Sequence, residues 1–218
     1  MARGNGGGKA MTRRVRAKAL VLLPFLPLVA PAALASEVAL DNPYVLVTHN
    51  GAPCAAAGTA GCGDRVVVAM GDLEIASNNA IRALARGGVA VFTAGQSYTP
   101  PASGDYYEVA IKPNHPPVKS PAEMIPPDKD STIYDGDKFF VYEEKLAVGD
   151  SRARHSHSQR VEIRINQGPM LEMHVDGVAK TIEPVIVNFR EPVIHTTHNV
   201  GDMDLRNIIV EFRPERQK

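Results

Sequence analysis

Two histidines separated by one residue give this sequence its clearest chemical signal. In a β-strand, His155 and His157 would lie on one face, with Cα atoms roughly 6.6 Å apart. Two imidazoles so placed can reach one metal ion at about 2.1 Å per metal–nitrogen bond, whereas a helix would point them apart. The pair therefore predicts a metal site carried by a strand, and the alternative is a pair that only packs or hydrogen-bonds.

The residues around this pair resemble the first motif of the cupin family, and a later stretch resembles the second. The first motif is matched by Gly149, His155, His157 and Gly168, and the second by His195 and Asn199. The resemblance covers about residues 136–214 and says little about the first half of the chain. It implies a double-layered β-barrel with one divalent metal ion inside, held by His155, His157 and His195.

Cupins usually supply a glutamate as a fourth metal ligand, and here two residues compete for that place. Glu162 follows His157 after four intervening residues, but strand alternation places it on the opposite face unless a β-bulge rotates the chain. Gln159 lies on the histidine face, and its amide can ligate weakly or hydrogen-bond a bound water or substrate. We favour a three-histidine site with Gln159 at its edge, and Glu162 is the second candidate.

Three neutral imidazoles with open coordination positions suit a divalent Fe, Mn, Zn, Ni or Cu ion, and the ligand types do not distinguish among these metals. A metal held in this way can activate O₂ or a chelating substrate, or acidify a bound water. The resemblance to cupins implies enzymes as well as simple binding proteins. We predict a metal-dependent, oxygenase-like enzyme acting on a small organic molecule, and the alternative is a non-catalytic cupin that binds metal or a small ligand.

The elements that must position these residues are mostly strands. Short apolar or alternating runs separated by Gly, Pro, Asn and Asp indicate an all-β fold with a cupin-type barrel, or jelly roll, at the C-terminal half. Nine strands are predicted: 44–48, 65–70, 89–93, 106–111, 138–146, 160–165, 171–174, 181–187 and 207–212. Only 75–86 has helical spacing of its apolar residues, ended by Gly87 and Gly88, which predicts one short helix or a turn.

Three regions follow from composition. Residues 1–35 contain a basic segment, an apolar run of about 16 residues and an Ala-Leu-Ala site, which is typical of a signal peptide. Residues 36–118 form a smaller β-rich region, which a degenerate second cupin would explain, and residues 119–218 form the cupin barrel. Eight prolines between residues 100 and 127 place the boundary near 118.

The predicted signal peptide, called the leader below, indicates export to the periplasm or outside the cell. Its apolar run is interrupted by three prolines and is short for a membrane helix, which needs roughly 20 residues, so no stable span is expected after cleavage, and an uncleaved membrane anchor is the alternative. Residues 12–18 resemble a twin-arginine export signal, and an ordinary basic segment explains them equally well. In an oxidising compartment, Cys54 and Cys62, the only cysteines, are expected to form a disulfide.

The charge distribution excludes one class of partner. The leader holds six of the 24 Lys and Arg residues and no acidic residue, which leaves 18 basic against 24 acidic residues. No basic stripe or aromatic platform accompanies this mildly acidic balance, so we expect a small-molecule ligand and no nucleic acid. Because barrels of the family often pair through sheet edges, the resemblance also allows a homodimer.

Overall fold

The computed structural model describes residues 36–78, 80–128, 130–166, 170–174, 179–182 and 185–214, together with Met1 and Gly4. Apart from those two residues, the signal peptide predicted over 1–35 lies outside the described residues, as does Gly168 of the first motif. Every regular element in the described ranges is a β-strand, which confirms the predicted all-β class. No helix in these ranges has the length and apolar character needed to cross a membrane.

Seven strands precede residue 118. They are β1 (Glu37–Asp41), β2 (Val45–His49), β3 (Arg65–Ala69), β4 (Leu73–Ser77), β5 (Ala80–Leu84), β6 (Val89–Phe92) and β7 (Tyr106–Ile111). Five of them form an antiparallel sheet in the order β1-β2-β7-β3-β6, and β4 and β5 form a separate hairpin. The N-terminal region is therefore β-rich, as predicted, and its origin as a degenerate second cupin stays a prediction.

Nine described strands follow. They are β8 (Asp130–Asp135), β9 (Phe139–Leu146), β10 (Ser151–His157), β11 (Arg160–Asn166), β12 (Met170–His174), β13 (Ala179–Ile182), β14 (Val187–Arg190), β15 (Val193–His198) and β16 (Leu205–Phe212). They form two sheets, in the orders β10-β15-β12-β13 and β14-β11-β16-β9-β8. The single strand predicted over 181–187 was wrong, because that range holds the end of β13 and the start of β14.

The helix predicted over 75–86 was also wrong, because this range contains most of the β4–β5 hairpin, and the alternative, a turn, is present at Asn78. Asn78 adopts φ 49°, a left-handed conformation that Asn tolerates and that turns the chain back on itself. Leu73 and Ile75 are buried at alternate positions of β4, whereas Ile81, which suggested a helical face, is 72% exposed. The helical spacing of apolar residues therefore did not mark a buried face.

One hydrophobic core joins the two halves of the chain. On β16, Ile208, Val210 and Phe212 belong to this core, so the alternate residues Asn207 and Glu211 face the opposite side. Strands β9 and β11 contribute alternate residues in the same way, and the N-terminal sheet contributes Val45, Val47, Val66, Val68 and Val109 among others. The described residues from 36 to 214 belong to one compact unit, and the boundary at 118 stays a prediction.

A proline-containing segment covers the outer edge of β10. We call residues 119–128 the edge segment. Two hydrogen bonds join its Ile125 to Ser156 of β10: Ser156 N donates to Ile125 O at 3.0 Å, and Ile125 N donates to Ser156 Oγ at 2.7 Å. Arg154 forms an ion pair with Glu123 at 3.1 Å further along. Since Ser156 lies between the two motif histidines, the edge segment is anchored at the strand position that separates them.

Candidate metal centre

Strands β10 and β15 bring the three predicted histidines together. The two strands pair antiparallel, with His155 directly opposite His195 and His157 opposite Val193. Alternation along β10 places His155 and His157 on one face, as the sequence predicted. All three side chains are buried, with residue exposures of 1–2%. Their convergence therefore follows from strand pairing across 40 residues of sequence.

The ring nitrogens of these histidines are close enough to share one ion. One nitrogen from each ring lies within 4.8 Å of the other two, and no other described His, Cys, Asp or Glu belongs to this group. The Nε2 atoms of His155 and His195 are 3.1 Å apart, less than the span of two metal–nitrogen bonds of about 2.1 Å. Three buried imidazoles with this spacing fit a single transition-metal ion.

In His155 and His157, hydrogen bonds at Nδ1 determine which ring nitrogen is available to a metal ion. His155 Nδ1 lies 2.8 Å from the carbonyl oxygen of Ala153, which can only accept, so Nδ1 carries the proton. His157 Nδ1 lies 2.9 Å from Glu211 Oε2 and 2.9 Å from Tyr142 Oη. The His155 ring therefore presents the lone pair of Nε2, the form that a metal ligand needs, and both contacts of His157 engage Nδ1 rather than Nε2.

Burial keeps these imidazoles neutral. It lowers the pKa of His155 from 6.5 to about 4, against an opposing effect of the hydrogen bond to Ala153. Burial lowers the pKa of His157 well below its usual value, and the positive charge of Arg160 lowers it further. Because only a neutral imidazole can bind a metal, both side chains are in the binding form at neutral pH.

Gln159 and Glu162, the two candidates for a fourth ligand, make contacts outside the histidine group. Gln159 accepts a hydrogen bond from Lys119 N at 2.9 Å and donates from Nε2 to Glu191 at 3.0 Å. Glu162 accepts from Arg160 Nε at 2.9 Å. Both functional groups are thus satisfied by other protein groups, and a role for either residue at a bound metal stays a prediction.

Sequence reasoning missed Glu211 and Tyr142, which surround His157. Tyr142 Oη donates to Glu211 Oε2 at 2.8 Å, and Ser158 N donates to Glu211 Oε1 at 2.7 Å. Burial raises the pKa of Glu211 to about 7, whereas Arg160 and these donors favour its ionised form. The sequence held one signal that could have identified Glu211. It is a single acidic residue near the end of an apolar strand, and it alternates with three residues of the core.

A second buried polar cluster lies on the same face of β9 and β16. The Arg152 guanidinium contacts the carboxylates of Glu144 and Asp130 and donates from Nε to Asp128 O at 3.0 Å. Glu144 also accepts from Asn207 Nδ2 at 3.0 Å. The side chain of Arg152 is fully buried, and its charge is balanced by these two carboxylates and by that of Asp128 at 3.7 Å. The cluster ties β10 to β8, β9 and the end of the edge segment.

The N-terminal region holds the two cysteines and a buried carboxylate. Cys54 and Cys62 are joined by a disulfide with Cα atoms 5.6 Å apart, which closes a loop next to β7. Cys54 N donates to Glu108 Oε1 at 3.2 Å, and Tyr98 Oη donates to Glu108 Oε2. Glu108 is completely buried. Its tyrosine and backbone donors match those of Glu211, but no histidine is among its hydrogen-bond partners in the described part of the chain.

Comparisons with known proteins identify the fold. The described strands form a cupin-type β-barrel protein with a three-histidine cluster, and among solved structures it is similar to the protein Ylba from E. coli, associated with the DUF861 family model. That chain is 13% identical, with 84% of each chain covered and a TM-score of 0.53. A cupin 2 conserved barrel domain protein from Leptotrichia buccalis is also 13% identical, covering 82% of this chain and 88% of that one, with a TM-score of 0.49.

An oxalate decarboxylase is similar at 11% identity over 80% of this chain and 70% of that chain, with a TM-score of 0.49. No protein-family model matches the sequence, and no curated protein sequence matches it. At these identities the similarity concerns the fold alone. The predicted cupin-type barrel is therefore confirmed, and the chemistry must be argued from the site.

Proposed function

We propose that this protein is an exported cupin-fold protein that holds one divalent metal ion through His155, His157 and His195, and that it is a metal-dependent enzyme of the oxygenase type. The observation that carries this proposal is the convergence of three buried histidines, with one nitrogen of each within 4.8 Å of the others. The Nε2 atoms of His155 and His195 face each other at 3.1 Å, and a shared metal ion would accept the lone pairs of several imidazoles at once.

A bound Fe, Mn, Zn, Ni or Cu ion would supply Lewis acidity and, for the redox-active metals, a site for O₂. The chain's own residues have three tasks in this proposal. The histidines bind through neutral imidazoles, the carbonyl oxygen of Ala153 orients the His155 ring through Nδ1, and burial of the three rings keeps bulk water away from them. A small organic molecule is the expected substrate.

One observation favours a second candidate, a metal- or ligand-binding protein without catalysis. The exposures of the three histidines are only 1–2%, which suits a closed site that holds a metal or ligand better than one that must admit and release a substrate. The two candidates share the metal and differ in turnover.

Metal content is the first test. The protein is produced from its full-length gene, purified from the periplasm or medium, and analysed for metal by inductively coupled plasma mass spectrometry. We expect about one metal ion per chain and loss of that ion in His195→Ala. The matched control is His198→Ala, because His198 lies on the same strand but contacts Ser151 and the carbonyl oxygen of Asp150. A wild-type chain without stoichiometric metal, in both the isolated and the metal-supplemented form, would refute the proposal.

Oxygen uptake is the second test and separates the two candidates. Small phenols and enediols are offered to the metal-loaded protein in an oxygen electrode, with the metal-free His195→Ala variant as background. Uptake that requires both the metal and the organic molecule supports the enzyme. Stoichiometric metal without uptake across this set overturns the oxygenase assignment and leaves the binding protein.

Export is tested independently of the metal. The leader supports export after folding if residues 12–18 act as a twin-arginine signal. Changing Arg13 and Arg14 together to Lys should then retain the precursor in the cytoplasm, as measured by cell fractionation. Unchanged export would assign the leader to the general secretory route, and retention of the wild-type chain in the cytoplasm would overturn the proposed location.

A further inference from the structure

The carboxylate of Glu211 occupies an unusual place beside one of the three histidines. It lies near the end of β16, opposite Arg160 of β11 and Phe140 of β9, and its side chain is 2% exposed. We propose that Glu211 is a positioning residue that fixes the proton of His157 on Nδ1, so that Nε2 presents its lone pair to His155 and His195. The consequence for metal affinity rests on the proposed function, whereas the hydrogen-bond geometry does not.

Three donors converge on this carboxylate. Ser158 N donates to Oε1 at 2.7 Å, Tyr142 Oη donates to Oε2 at 2.8 Å, and His157 Nδ1 lies 2.9 Å from Oε2. Both carboxylate oxygens already accept a hydrogen bond, Oε1 from Ser158 N and Oε2 from Tyr142 Oη, so the carboxylate acts as an acceptor on every side. The proton between His157 and Glu211 must therefore reside on Nδ1. If Nδ1 lacked that proton, its lone pair would face a buried negative charge at 2.9 Å, which is strongly unfavourable.

The other motif histidine of β10 is oriented by a different kind of group. His155 Nδ1 donates to the backbone carbonyl of Ala153, which no substitution of a side chain removes. The tautomer of His157 depends instead on a side chain 54 residues later in the sequence. His155 thus provides an internal reference, because its tautomer should persist when Glu211 is changed.

Glutamine at position 211 creates a conflict that glutamate avoids. If the amide oxygen of Gln faces Ser158 N, its NH₂ group points to His157 and Tyr142, and Nδ1 must become an acceptor. The proton then moves to Nε2, the atom needed for the metal. If the amide is reversed, two donors meet at Ser158 N, which leaves a buried N–H group without an acceptor. The first arrangement keeps the backbone donor satisfied, so we expect Glu211→Gln to shift His157 to the Nε2–H tautomer.

The experiment reads the tautomers directly in the metal-free protein. Histidine labelled with ¹⁵N is followed by two- and three-bond ¹H–¹⁵N correlation spectra at about pH 8, and wild-type His157 should show the Nδ1–H pattern. Glu211→Gln should convert this pattern to Nε2–H while His155 is unchanged. The matched control is Glu108→Gln, since Glu108 is equally buried and accepts from Tyr98 Oη and Cys54 N. That control should leave His157 unchanged.

Metal affinity is measured with the same proteins, using Zn²⁺ alone in competition with a chromophoric chelator. Loss of a hydrogen-bond partner behind a metal-bound histidine typically weakens metal binding by about 10–100-fold, and we expect this range for Glu211→Gln and no change for Glu108→Gln. If wild type binds no Zn²⁺ but its tautomer depends on Glu211, the positioning role stands and the proposed metal function fails.

Two results would overturn the positioning role. One is a wild-type His157 in the Nε2–H form, and the other is a folded Glu211→Gln protein whose His157 keeps the Nδ1–H pattern. Should Glu211→Gln fail to fold, Tyr142→Phe decides the question, because it removes the phenol and leaves the carboxylate in place. His157 should then keep Nδ1–H, and a switch to Nε2–H in Tyr142→Phe would assign the orienting role to Tyr142 instead.

Discussion

Acidification should destabilise the metal-free protein through His155, and a substitution can isolate this contribution. Burial lowers the pKa of His155 to about 4 in the folded state, whereas the unfolded chain has the ordinary value of about 6.5. Between these two values the unfolded state binds more protons, so stability falls as the pH falls. The contribution is fully present above about pH 6.5 and is lost as the pH approaches about 4.

The magnitude follows from the two pKa values. Linkage gives a loss of about 2 kcal/mol in the free energy of unfolding on going from about pH 7.5 to about pH 5, and about 3 kcal/mol in total below about pH 4. His155→Gln removes the titrating group and keeps a polar side chain of similar reach. The variant should therefore lose about 2 kcal/mol less than wild type over the first interval.

The assay is urea denaturation followed by circular dichroism, at a series of pH values, with a chelator present throughout. The comparison of interest is the difference between the pH dependences of wild type and variant, because His157 and the buried carboxylates titrate in both proteins. Parallel curves, with a difference of less than about 0.5 kcal/mol between the two pH values, would show that His155 is not held neutral by burial.

Two further predictions concern the buried charges and the shared core. Arg152→Met should lower the free energy of unfolding by about 3–5 kcal/mol, because the carboxylates of Asp130 and Glu144 lose the buried cation that they contact. The measurement is urea denaturation, and a loss below about 1 kcal/mol would contradict the prediction. Residues 119–218 expressed alone should bind a hydrophobic dye and lack a near-UV circular dichroism signal. The reason is that the apolar faces of β9, β11 and β16 lose their contact with the N-terminal sheet. A cooperative unfolding transition of this fragment would instead show that the barrel folds independently.

The sequence was most informative where chemistry and strand periodicity coincide. The spacing of His155 and His157 predicts a shared face only in a strand, and β10 provides that strand. The strand predicted over 106–111 has the same bounds as β7, because its apolar residues are flanked by clear turn signals. Local patterns of this kind depend on neighbouring residues alone, and a single sequence contains them.

Long-range pairing explains what the sequence could not provide. Glu211 meets His157 because β16 pairs with β11 and the chain bends at Gln159, between β10 and β11, a relation that no spacing rule encodes. The helix predicted over 75–86 failed for a related reason. Its apolar spacing was real, but packing of Leu73, Ile75 and Leu84 against the N-terminal sheet outweighed local preference.

The alternation along β16 restricts how this protein can diverge during evolution. Ile208, Val210 and Phe212 pack in the shared core while Asn207 and Glu211 contact the buried polar groups. An insertion or deletion of one residue within this strand would exchange the two sets, placing a carboxylate between apolar sheets and a phenyl ring beside His157. Lineages descended from this sequence can therefore vary β16 by substitution, while changes in length are confined to the turns on either side.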